Sequence, residues 1–502
     1  MNSLVIFGAS GDLTSRKLIP ALYNLFLKKR LPQPMHIVGF SRTPMDDAAW
    51  RNRLTETTQK FAADVFTRES WNAFAPMIHY HPGDIGNAES FRSLDDYLVR
   101  LESDSSELQL GAADPFDRLY YLSTAPQFYG PVTQQLGVAG MAAQSPGRTR
   151  RIVIEKPFGT DLQSALSLNK IIEESFDESQ VYRIDHYLGK ETVNNILVLR
   201  FANAIFEPIW NRNYIESIQI TANEDVLVGR RAPYYETAGV LRDMFQNHLL
   251  QILTFVMMEP PSHFDAKTVR DEKVKVLQSI RPMVEQEVFQ NTIRGQYRSY
   301  RDEEGVAAES QTATYAAVRL LIDNWRWRDV PVFLRSGKGM SCRSTQILIQ
   351  FRQPPHSMFG RYLSGKEASD LPLQGNRLLI QIQPAEGIQL YFMTKVPDTE
   401  MQIRTSELNF NFKDTLQAYG HGTMPDSYQR LLLDALSGDA SLFARIDEVE
   451  AAWRIIDPIQ KTWDDGRMQD PEFYEVGSLG PAHAQRWINS FGRQWFDLCP
   501  LV

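Results

Sequence analysis

A turn of small residues near the start of the chain constrains the fold more than any other feature. The apolar run at residues 4–7 ends at Gly8, and a helical pattern begins soon after Gly11. Such a strand-to-helix turn is typical of a β-α unit whose backbone approaches a pyrophosphate at the helix N-terminus. Ser10 and Leu13 replace the second and third glycines of the usual G-x-G-x-x-G pattern, so the turn alone also fits an ordinary tight turn. The predicted phosphate loop comprises Gly8, Ser10, Gly11, Asp12 and Leu13.

The first third of the chain alternates strand-like and helical patterns. Apolar runs predict strands at residues 4–7, 36–40, 118–122 and 151–155. Apolar residues at helical spacing predict a helix at residues 18–26, with an irregular start at Pro20. This alternation favours a doubly wound parallel sheet of the Rossmann type, and we assign residues 1–178 to a dinucleotide-binding domain. A stretch rich in Ser, Asp and Gly predicts a surface loop at residues 101–117.

Beyond residue 178 the pattern changes to strands with few helices between them. Strand-like runs lie at residues 216–221, 312–321, 346–351 and 377–383. They indicate a large, mainly antiparallel sheet, which we assign to a second domain at residues 179–502. Helical patterns at residues 240–257 and 425–434 are expected to cover one face of that sheet. The predicted fold class is therefore α/β followed by α+β.

Composition excludes several classes of partner. The net charge is −8 and basic residues form no arm or stripe, so nucleic acid is not an expected partner. No run approaches the roughly 18 consecutive apolar residues of a membrane helix, and the first strand leaves no room for a signal peptide. The two cysteines, Cys342 and Cys499, offer no disulfide framework and fit a reducing cytosol. We therefore expect a cytoplasmic protein.

The end of the second predicted strand indicates which dinucleotide would bind. Residues 39–43 read Gly-Phe-Ser-Arg-Thr, and no acidic residue precedes Asp46. An acidic residue at this place binds the ribose hydroxyls of NAD, whereas an arginine accommodates a 2′-phosphate. We interpret Arg42 as the 2′-phosphate contact and NADP as the coenzyme, with NAD as a weaker alternative. A solvated loop arginine remains the other interpretation of Arg42.

A charged pair ends the strand predicted at residues 151–155. Glu155 and Lys156 precede Pro157. The carboxyl ends of parallel strands form the edge at which ligands bind in doubly wound sheets. Lys156 is therefore expected at the ligand-binding edge, where it could contact both coenzyme and substrate.

Two further segments carry polar groups that suit acid–base chemistry on a phosphorylated ligand. Asp185, His186 and Lys190 place a carboxylate, an imidazole and an ammonium group within one short segment. In the helical pattern from residue 240, Asp243 and His248 interrupt a largely apolar sequence, together with Asn247. Buried polar groups need partners, so we expect these three to line a cavity. A lone histidine on such a helix is otherwise a satisfied core residue.

The segments at residues 8–13, 155–159 and 183–190 together resemble the glucose-6-phosphate dehydrogenase family. The resemblance extends over nearly the whole chain, through residues 201–203, 208–212, 270–277, 295–297, 428–434 and 447–458. It implies oxidation of D-glucose 6-phosphate at C1 to 6-phospho-D-glucono-1,5-lactone with NADP, the first step of the oxidative pentose phosphate pathway. It also implies a homodimer or homotetramer, with the second domain binding substrate and forming the subunit contact.

The resemblance assigns roles to individual residues and implies no metal. His248 would be the general base, oriented by the carboxylate of Asp185. The phosphate of the sugar would be bound by His186 and Lys190, with a hydroxyl from Tyr187. Pro157 would follow a cis peptide bond. The remaining implied contacts are Tyr129 to the coenzyme, Lys156 to coenzyme and sugar, and Glu224, Asp243, Lys338, Arg343 and Gln383 to the sugar.

Two departures from the family pattern stand out. Val228 occupies a position that is normally acidic, in a loop expected to border the substrate, so substrate affinity is expected to differ. Some members bind a second, structural NADP through basic residues. The matching positions here are Ser344, Leu348 and Tyr391, none of them basic, so we expect that second site to be absent.

Other functions stay open at the level of sequence. One is a non-catalytic regulator that binds NADP, although the complete set of Asp185, His186, Lys190 and His248 argues for a catalyst. Another is a dehydrogenase of a different hexose phosphate or of free glucose. The predicted phosphate-binding residues disfavour free glucose.

Overall fold

The strands of the chain form two sheets in a computed structural model that describes residues 2–106, 116–356, 358–359, 375–418, 424–497 and 499. The first sheet contains β1 Asn2–Phe7, β2 Met35–Ser41, β3 Ile78–Pro82, β4 Asp117–Leu122, β5 Arg150–Ile154 and β6 Val181–Arg183. The second sheet contains β7 Ile215–Asn223, β8 Thr292–Tyr297, β9 Tyr315–Leu320, β10 Val332–Gly337, β11 Ser344–Phe351, β12 Arg377–Gln383, β13 Gly387–Lys395, β14 Ile403–Asn411 and β15 Glu472–Tyr474.

Helices accompany both sheets. The α-helices are α1 Ile19–Leu27, α2 Asp47–Phe61, α3 Arg68–Phe74, α4 Ala88–Ser106, α5 Tyr129–Val138, α6 Leu162–Glu173, α7 Glu191–Phe201, α8 Ala232–Val240, α9 Leu250–Met257, α10 Ala266–Ser279, α11 Glu285–Asn291, α12 Phe412–Ala418, α13 Ser427–Ser437, α14 Ile446–Asp464 and α15 Ala482–Ser490. Two segments are π-helical, Thr14–Leu18 and Leu241–Leu249. Among the described helices, none combines the length and apolar character that crossing a bilayer requires.

The first sheet is parallel and doubly wound, as the sequence predicts. Its strand order is β3-β2-β1-β4-β5-β6, with every neighbouring pair parallel. The central strand β1 is fully buried from Leu4 to Phe7 because helices cover both of its faces. The order reverses between β1 and β4, and ligands bind at such a reversal, beyond the carboxyl ends of the strands.

The first helix begins irregularly, in agreement with the sequence. The π-helical turn Thr14–Leu18 leads directly into α1. Pro20 is the second residue of α1 and directly follows this turn, so its missing backbone N–H cannot donate to the preceding turn and regular α-helical bonding is interrupted there. The apolar face of α1 is buried, with Ile19, Leu22 and Leu25 at most 2% exposed.

The second sheet is mainly antiparallel, which confirms the predicted fold class. Its order is β14-β13-β12-β11-β7-β10-β9-β8-β15. Two neighbouring pairs, β7 with β10 and β15 with β8, run parallel. The helical pattern predicted from residue 240 is present as the end of α8, the π-helix Leu241–Leu249 and α9.

The chain divides into two compact units, and the first of them is discontinuous. Unit 1 comprises residues 1–190, 261–271 and 425–450, and unit 2 comprises residues 191–260, 272–424 and 451–502. The division drawn from sequence at residue 178 lies earlier, because β6 still pairs with β5 in the first sheet. Local patterning carries no signal for the two later segments that return to unit 1.

Two sequence predictions about single elements are wrong. The helix predicted at residues 425–434 is α13, and it belongs to unit 1, where it packs against α1 rather than on the large sheet. Lys28 donates to Gln429 at 2.9 Å across that contact. The predicted loop at residues 101–117 begins as the end of α4, because the helix continues to Ser106. Its residues 107–115 lie outside the described part of the chain.

The expectation of unpaired cysteines is also wrong. Cys342, in the turn between β10 and β11, forms a disulfide bond with Cys499, with 6.0 Å between the two Cα atoms. The bond joins the C-terminal segment to the sheet of unit 2. Side chains of the sheet hold the same segment, since Gln346 donates to the Phe496 carbonyl at 2.9 Å and Arg335 pairs with Asp497 at 2.6 Å.

We predict that Cys499→Ser lowers the free energy of unfolding of unit 2 by about 2–4 kcal/mol, because the bond constrains a long loop of the unfolded chain. Urea unfolding followed by tryptophan fluorescence measures the loss. Cys342→Ser and the double variant should lose the same amount as Cys499→Ser, and a reductant should reproduce it in the unsubstituted protein. Two titratable thiols in the native, non-reduced protein would contradict the pairing.

Candidate active site

The loop after β1 has the shape expected of a phosphate loop. Gly8 has a φ of +84°, and a Cβ atom there would lie 2.2 Å from the Ser123 carbonyl oxygen. The Gly11 N–H donates to the Gly8 carbonyl at 2.9 Å, and the π-helix starts at Thr14. Position 8 therefore requires glycine, and the turn it forms leads from the end of β1 to the start of the helix, the place where dinucleotide-binding sheets hold a phosphate.

The residues predicted around this loop lie at the carboxyl edge of the first sheet. Ser10 Oγ is 2.8 Å from Ser41 Oγ, so the loop is tied to the end of β2. Arg42 follows Ser41 directly and is exposed. Asp12 is exposed and Leu13 is partly buried.

A buried hydrogen-bond cluster holds the end of β5, which carries Lys156. Tyr121, at the neighbouring end of β4, donates its hydroxyl to Glu155 at 2.6 Å, and Tyr428 on α13 also bonds this carboxylate. Burial raises the pKa of Glu155, whereas the two tyrosine hydroxyls and the Lys156 ammonium act in the opposite direction. The peptide bond between Lys156 and Pro157 is cis, as the sequence resemblance implied.

The segment from Asp185 to Lys190 begins at the end of β6, on the same edge of the sheet. The Ile184 N–H donates to the Ile154 carbonyl at 2.9 Å, so the segment leaves the sheet beside β5. Asp185 is buried and accepts the Tyr187 backbone N–H at 2.9 Å. The segment therefore folds back on its own carboxylate.

Tyr187 brings the two predicted phosphate ligands together. The Lys190 ammonium lies 5.0 Å from the centre of the Tyr187 ring, and the His186 ring centre lies at the same distance. A cation and an imidazole thus flank one aromatic side chain, an arrangement that suits an anionic group. Tyr129, predicted as a coenzyme contact, opens α5 and is 1% exposed.

In unit 2, the predicted base lies on a π-helix. His248 is 1% exposed, and Asp243 and Asn247 on the same segment are also buried. The Asn247 side chain accepts the His248 backbone N–H at 2.6 Å and donates to the Arg242 carbonyl at 3.1 Å. The polar groups thus have partners, and π-helical turns of this kind occur frequently at functional sites.

A parallel strand pair places an acid and a base at the same edge of the large sheet. Glu224 follows β7 and Lys338 follows β10, and the Glu224 N–H donates to the Gly337 carbonyl at 2.9 Å. The Lys338 ammonium makes a very short contact with the Glu224 carboxylate and lies 3.9 Å from Asp243. Three residues predicted to contact the sugar are therefore one ion-paired cluster.

Tyrosines surround this cluster. The Tyr474 hydroxyl donates to the Lys338 carbonyl at 2.7 Å, and the Lys338 ammonium lies 5.4 Å from the centre of the Tyr235 ring. Burial, followed by the charge of Asp243, raises the pKa of Tyr234 to about 12 and that of Tyr235 well above its usual range. Both phenols therefore stay neutral at physiological pH and can donate hydrogen bonds.

The outlying predicted residues of unit 2 occupy two places. Arg343 donates to the Gln383 side chain at 3.3 Å, so these two predicted sugar contacts are neighbours. Val228 is 7% exposed and belongs to an aromatic cluster, with its backbone N–H donating to the Tyr297 hydroxyl at 3.1 Å. An apolar side chain at position 228 thus serves the core of unit 2.

The predicted residues fall into two sets, one in each unit. Unit 1 holds Gly8, Ser10, Gly11, Asp12, Leu13, Arg42, Tyr129, Lys156, Asp185, His186, Tyr187 and Lys190, and unit 2 holds Glu224, Asp243, His248, Lys338, Arg343 and Gln383. Sequence reasoning missed the tyrosines that support both sets, namely Tyr121, Tyr428, Tyr235 and Tyr474. Their partners are distant in sequence, so no local pattern identifies them.

Two models of one protein family match nearly the whole chain. Residues 5–195 match the family model described as glucose-6-phosphate dehydrogenase, NAD binding domain, and residues 197–496 match the C-terminal domain of the same enzyme. The protein is thus a nicotinamide-nucleotide-binding oxidoreductase. The chain belongs to the glucose-6-phosphate dehydrogenase family, which confirms the resemblance seen in the sequence.

Relatives and solved structures match along the full length. The chain is 41% identical to the glucose-6-phosphate 1-dehydrogenase of Aggregatibacter actinomycetemcomitans, over 98% of this chain and 96% of the relative. It is 40% identical to that of Bacillus subtilis, over 99% and 98%. A solved glucose-6-phosphate dehydrogenase in complex with its substrate glucose-6-phosphate is 32% identical, with a TM-score of 0.88 over 99% of this chain and 98% of that chain.

We predict that Gly8→Ala destabilises unit 1 by about 1–3 kcal/mol or more and weakens dinucleotide binding at least tenfold, because the added Cβ meets the Ser123 carbonyl. Thermal unfolding and titration with dinucleotide measure the two effects. Gly140→Ala is the matched control, since Gly140 also has a positive φ, +71°, but has open space around it. Equal effects of the two substitutions would show that backbone strain alone is responsible.

Proposed function

We propose that this chain catalyses the NADP-dependent oxidation of D-glucose 6-phosphate at C1 to 6-phospho-D-glucono-1,5-lactone, the first step of the oxidative pentose phosphate pathway. The proposal is carried by full-length similarity to a solved glucose-6-phosphate dehydrogenase in complex with that substrate. The residues of this chain that match the family's motifs support the proposal further.

The residues at the edge of the first sheet fit a dinucleotide. Gly8 has a positive φ and no room for a Cβ beside the Ser123 carbonyl, so a glycine shapes the tight turn that leads from β1 to the helix, where a pyrophosphate would bind. Exposed Arg42 suits a 2′-phosphate, and Lys156 leaves the adjacent strand end. When bound, the nicotinamide accepts the hydride from C1 of the sugar.

The phosphate of the sugar is assigned to the group around Tyr187. Lys190 supplies a full positive charge and His186 an imidazole donor, while Tyr187 contributes its hydroxyl. Binding energy at this remote phosphate would hold C1 in place for the reaction. Free glucose lacks that interaction and should react far more slowly.

His248 is proposed to accept the proton of the C1 hydroxyl at an imidazole nitrogen. Asp185 is proposed to set the tautomer of His248 and to stabilise its protonated form. Both side chains are buried, which supports the assignment, since a buried carboxylate and a buried imidazole both need polar partners.

The ion-paired cluster of unit 2 is assigned to the hydroxyl groups of the sugar. Glu224 and Asp243 would accept hydrogen bonds and Lys338 would donate them. Lys156, at the strand end of unit 1, is proposed as a further donor to the sugar. Arg343 and Gln383, which contact each other, complete the proposed set. As part of the same proposal, the enzyme acts in the cytoplasm as a homodimer or homotetramer.

The direct test is absorbance of reduced nicotinamide with D-glucose 6-phosphate and either NADP or NAD. We predict rapid reduction of NADP, slower reduction of NAD, and little reaction with free glucose or other hexose phosphates. Arg42→Ala should weaken the binding of NADP much more than the binding of NAD. Binding of NADP without any turnover would favour a non-catalytic regulator. If Arg42→Ala weakens the binding of NADP and NAD equally, Arg42 does not contact the 2′-phosphate.

We predict that His248→Asn lowers kcat by about 100- to 10,000-fold, because general-base catalysis contributes roughly that factor. The KM for the sugar phosphate should change less than about threefold, since the phosphate ligands are intact. His483→Asn is the matched control, an exposed histidine on α15, and should have no effect. A kcat within threefold of the unsubstituted enzyme would exclude His248 as the base.

A further inference from the structure

An arginine on α2 reaches back to the phosphate loop. The Arg53 guanidinium donates from Nη2 to the Ser10 carbonyl at 2.8 Å, and the side chain is otherwise exposed. Arg53 lies eleven residues after Arg42, with the N-cap of α2 between them at Asp46. Residues 42–46 thus connect the end of β2 to α2, and α2 carries Arg53 to the phosphate loop.

The surroundings of Arg53 include the same strand end that carries Arg42. Ser10 is bonded to Ser41 at 2.8 Å, and the Tyr80 hydroxyl donates to the Thr43 carbonyl at 2.6 Å. Burial raises the pKa of Tyr80, and a hydrogen bond with Ser41 and the positive charge of Arg53 act against that rise. Arg53 therefore contacts a loop that is itself bonded to Ser41, the residue that precedes Arg42.

Two acidic residues at the start of α2 are engaged elsewhere. Asp46 accepts the Ala49 N–H at 2.7 Å as the helix cap. Asp47 accepts the Tyr80 N–H at 2.7 Å and pairs with Arg51 at 3.4 Å. Within the described residues, Ser10 is the hydrogen-bond partner of the Arg53 side chain, which leaves most of its five N–H donors for an anion.

We propose that Arg53 is a second contact of the coenzyme 2′-phosphate, acting together with Arg42 to select NADP over NAD. The inference rests on the proposed use of NADP. A phosphate dianion has oxygens enough for two planar guanidinium groups, and such charge-assisted bonds are the strong ones. The carbonyl of Ser10 holds Arg53 over the loop before any ligand arrives, which lowers the entropy cost of binding.

A purely structural role of Arg53, in which it only supports the phosphate loop, predicts a different result. If Arg53 only supported the loop through Ser10, its removal would lower the affinity for every nucleotide that binds there. A phosphate contact instead affects only nucleotides that carry the 2′-phosphate. The comparison between two small nucleotides therefore separates the two roles without using catalysis.

The experiment is calorimetric titration of Arg53→Gln with adenosine 2′,5′-bisphosphate and with adenosine 5′-monophosphate. We expect the bisphosphate Kd to rise roughly tenfold or more, as for loss of a charged hydrogen bond, and the monophosphate Kd to change less than about twofold. Arg53→Lys should recover part of the loss. Arg92→Gln, which removes an exposed ion pair with Glu89 on α4, is the control and should change neither value.

Arg42→Gln distinguishes failure of this inference from failure of the proposed coenzyme. If Arg42→Gln weakens the bisphosphate selectively and Arg53→Gln does not, the inference is overturned and the choice of NADP stands. Equal weakening of both nucleotides by Arg53→Gln also overturns it, in favour of the purely structural role. If the unsubstituted protein binds both nucleotides equally, the proposed preference for NADP fails and the inference fails with it.

Discussion

The half-buried carboxylate of Glu155 ties together the elements that form the ligand-binding edge of unit 1. Tyr121 reaches it from β4 and Tyr428 from α13, so one side chain joins two neighbouring strands to a late helix. Lys156 follows immediately, and the segment that begins at Asp185 leaves the sheet beside it. A carboxylate that is largely removed from water needs hydrogen-bond donors, so these contacts also hold the strand end that carries Lys156.

Unit 2 also brings charged side chains together at one edge of a sheet, although its sheet is mainly antiparallel. An antiparallel sheet sends the ends of neighbouring strands to opposite edges, but β7 and β10 run parallel. Their carboxyl ends meet, which is why Glu224 and Lys338 form an ion pair. The geometry of a doubly wound sheet thus recurs at one place in a mostly antiparallel one, and it occurs where the sugar contacts are proposed.

Sequence was sufficient for features that are local. Apolar runs predicted β1, β2, β4 and β5, and the loop at Gly8 was visible from its small residues. β3 was missed because His79 and His81 interrupt its apolar pattern, and β6 because it has only three residues. The disulfide and the partner of Glu155 were missed for another reason. They join residues that are remote along the chain, and neither periodicity nor spacing carries information about such pairs.

The discontinuity of unit 1 has a consequence for how the protein is made. A nascent chain that has reached residue 190 already contains all of β1 to β6, yet it lacks Tyr428 for Glu155 and the Leu436 carbonyl that accepts from Arg151 at 3.0 Å. Those partners leave the ribosome only when most of unit 2 has been synthesised. The coenzyme-binding unit is therefore completed after translation of nearly the whole chain, and an N-terminal fragment of it exposes a buried acid and an uncovered helix face.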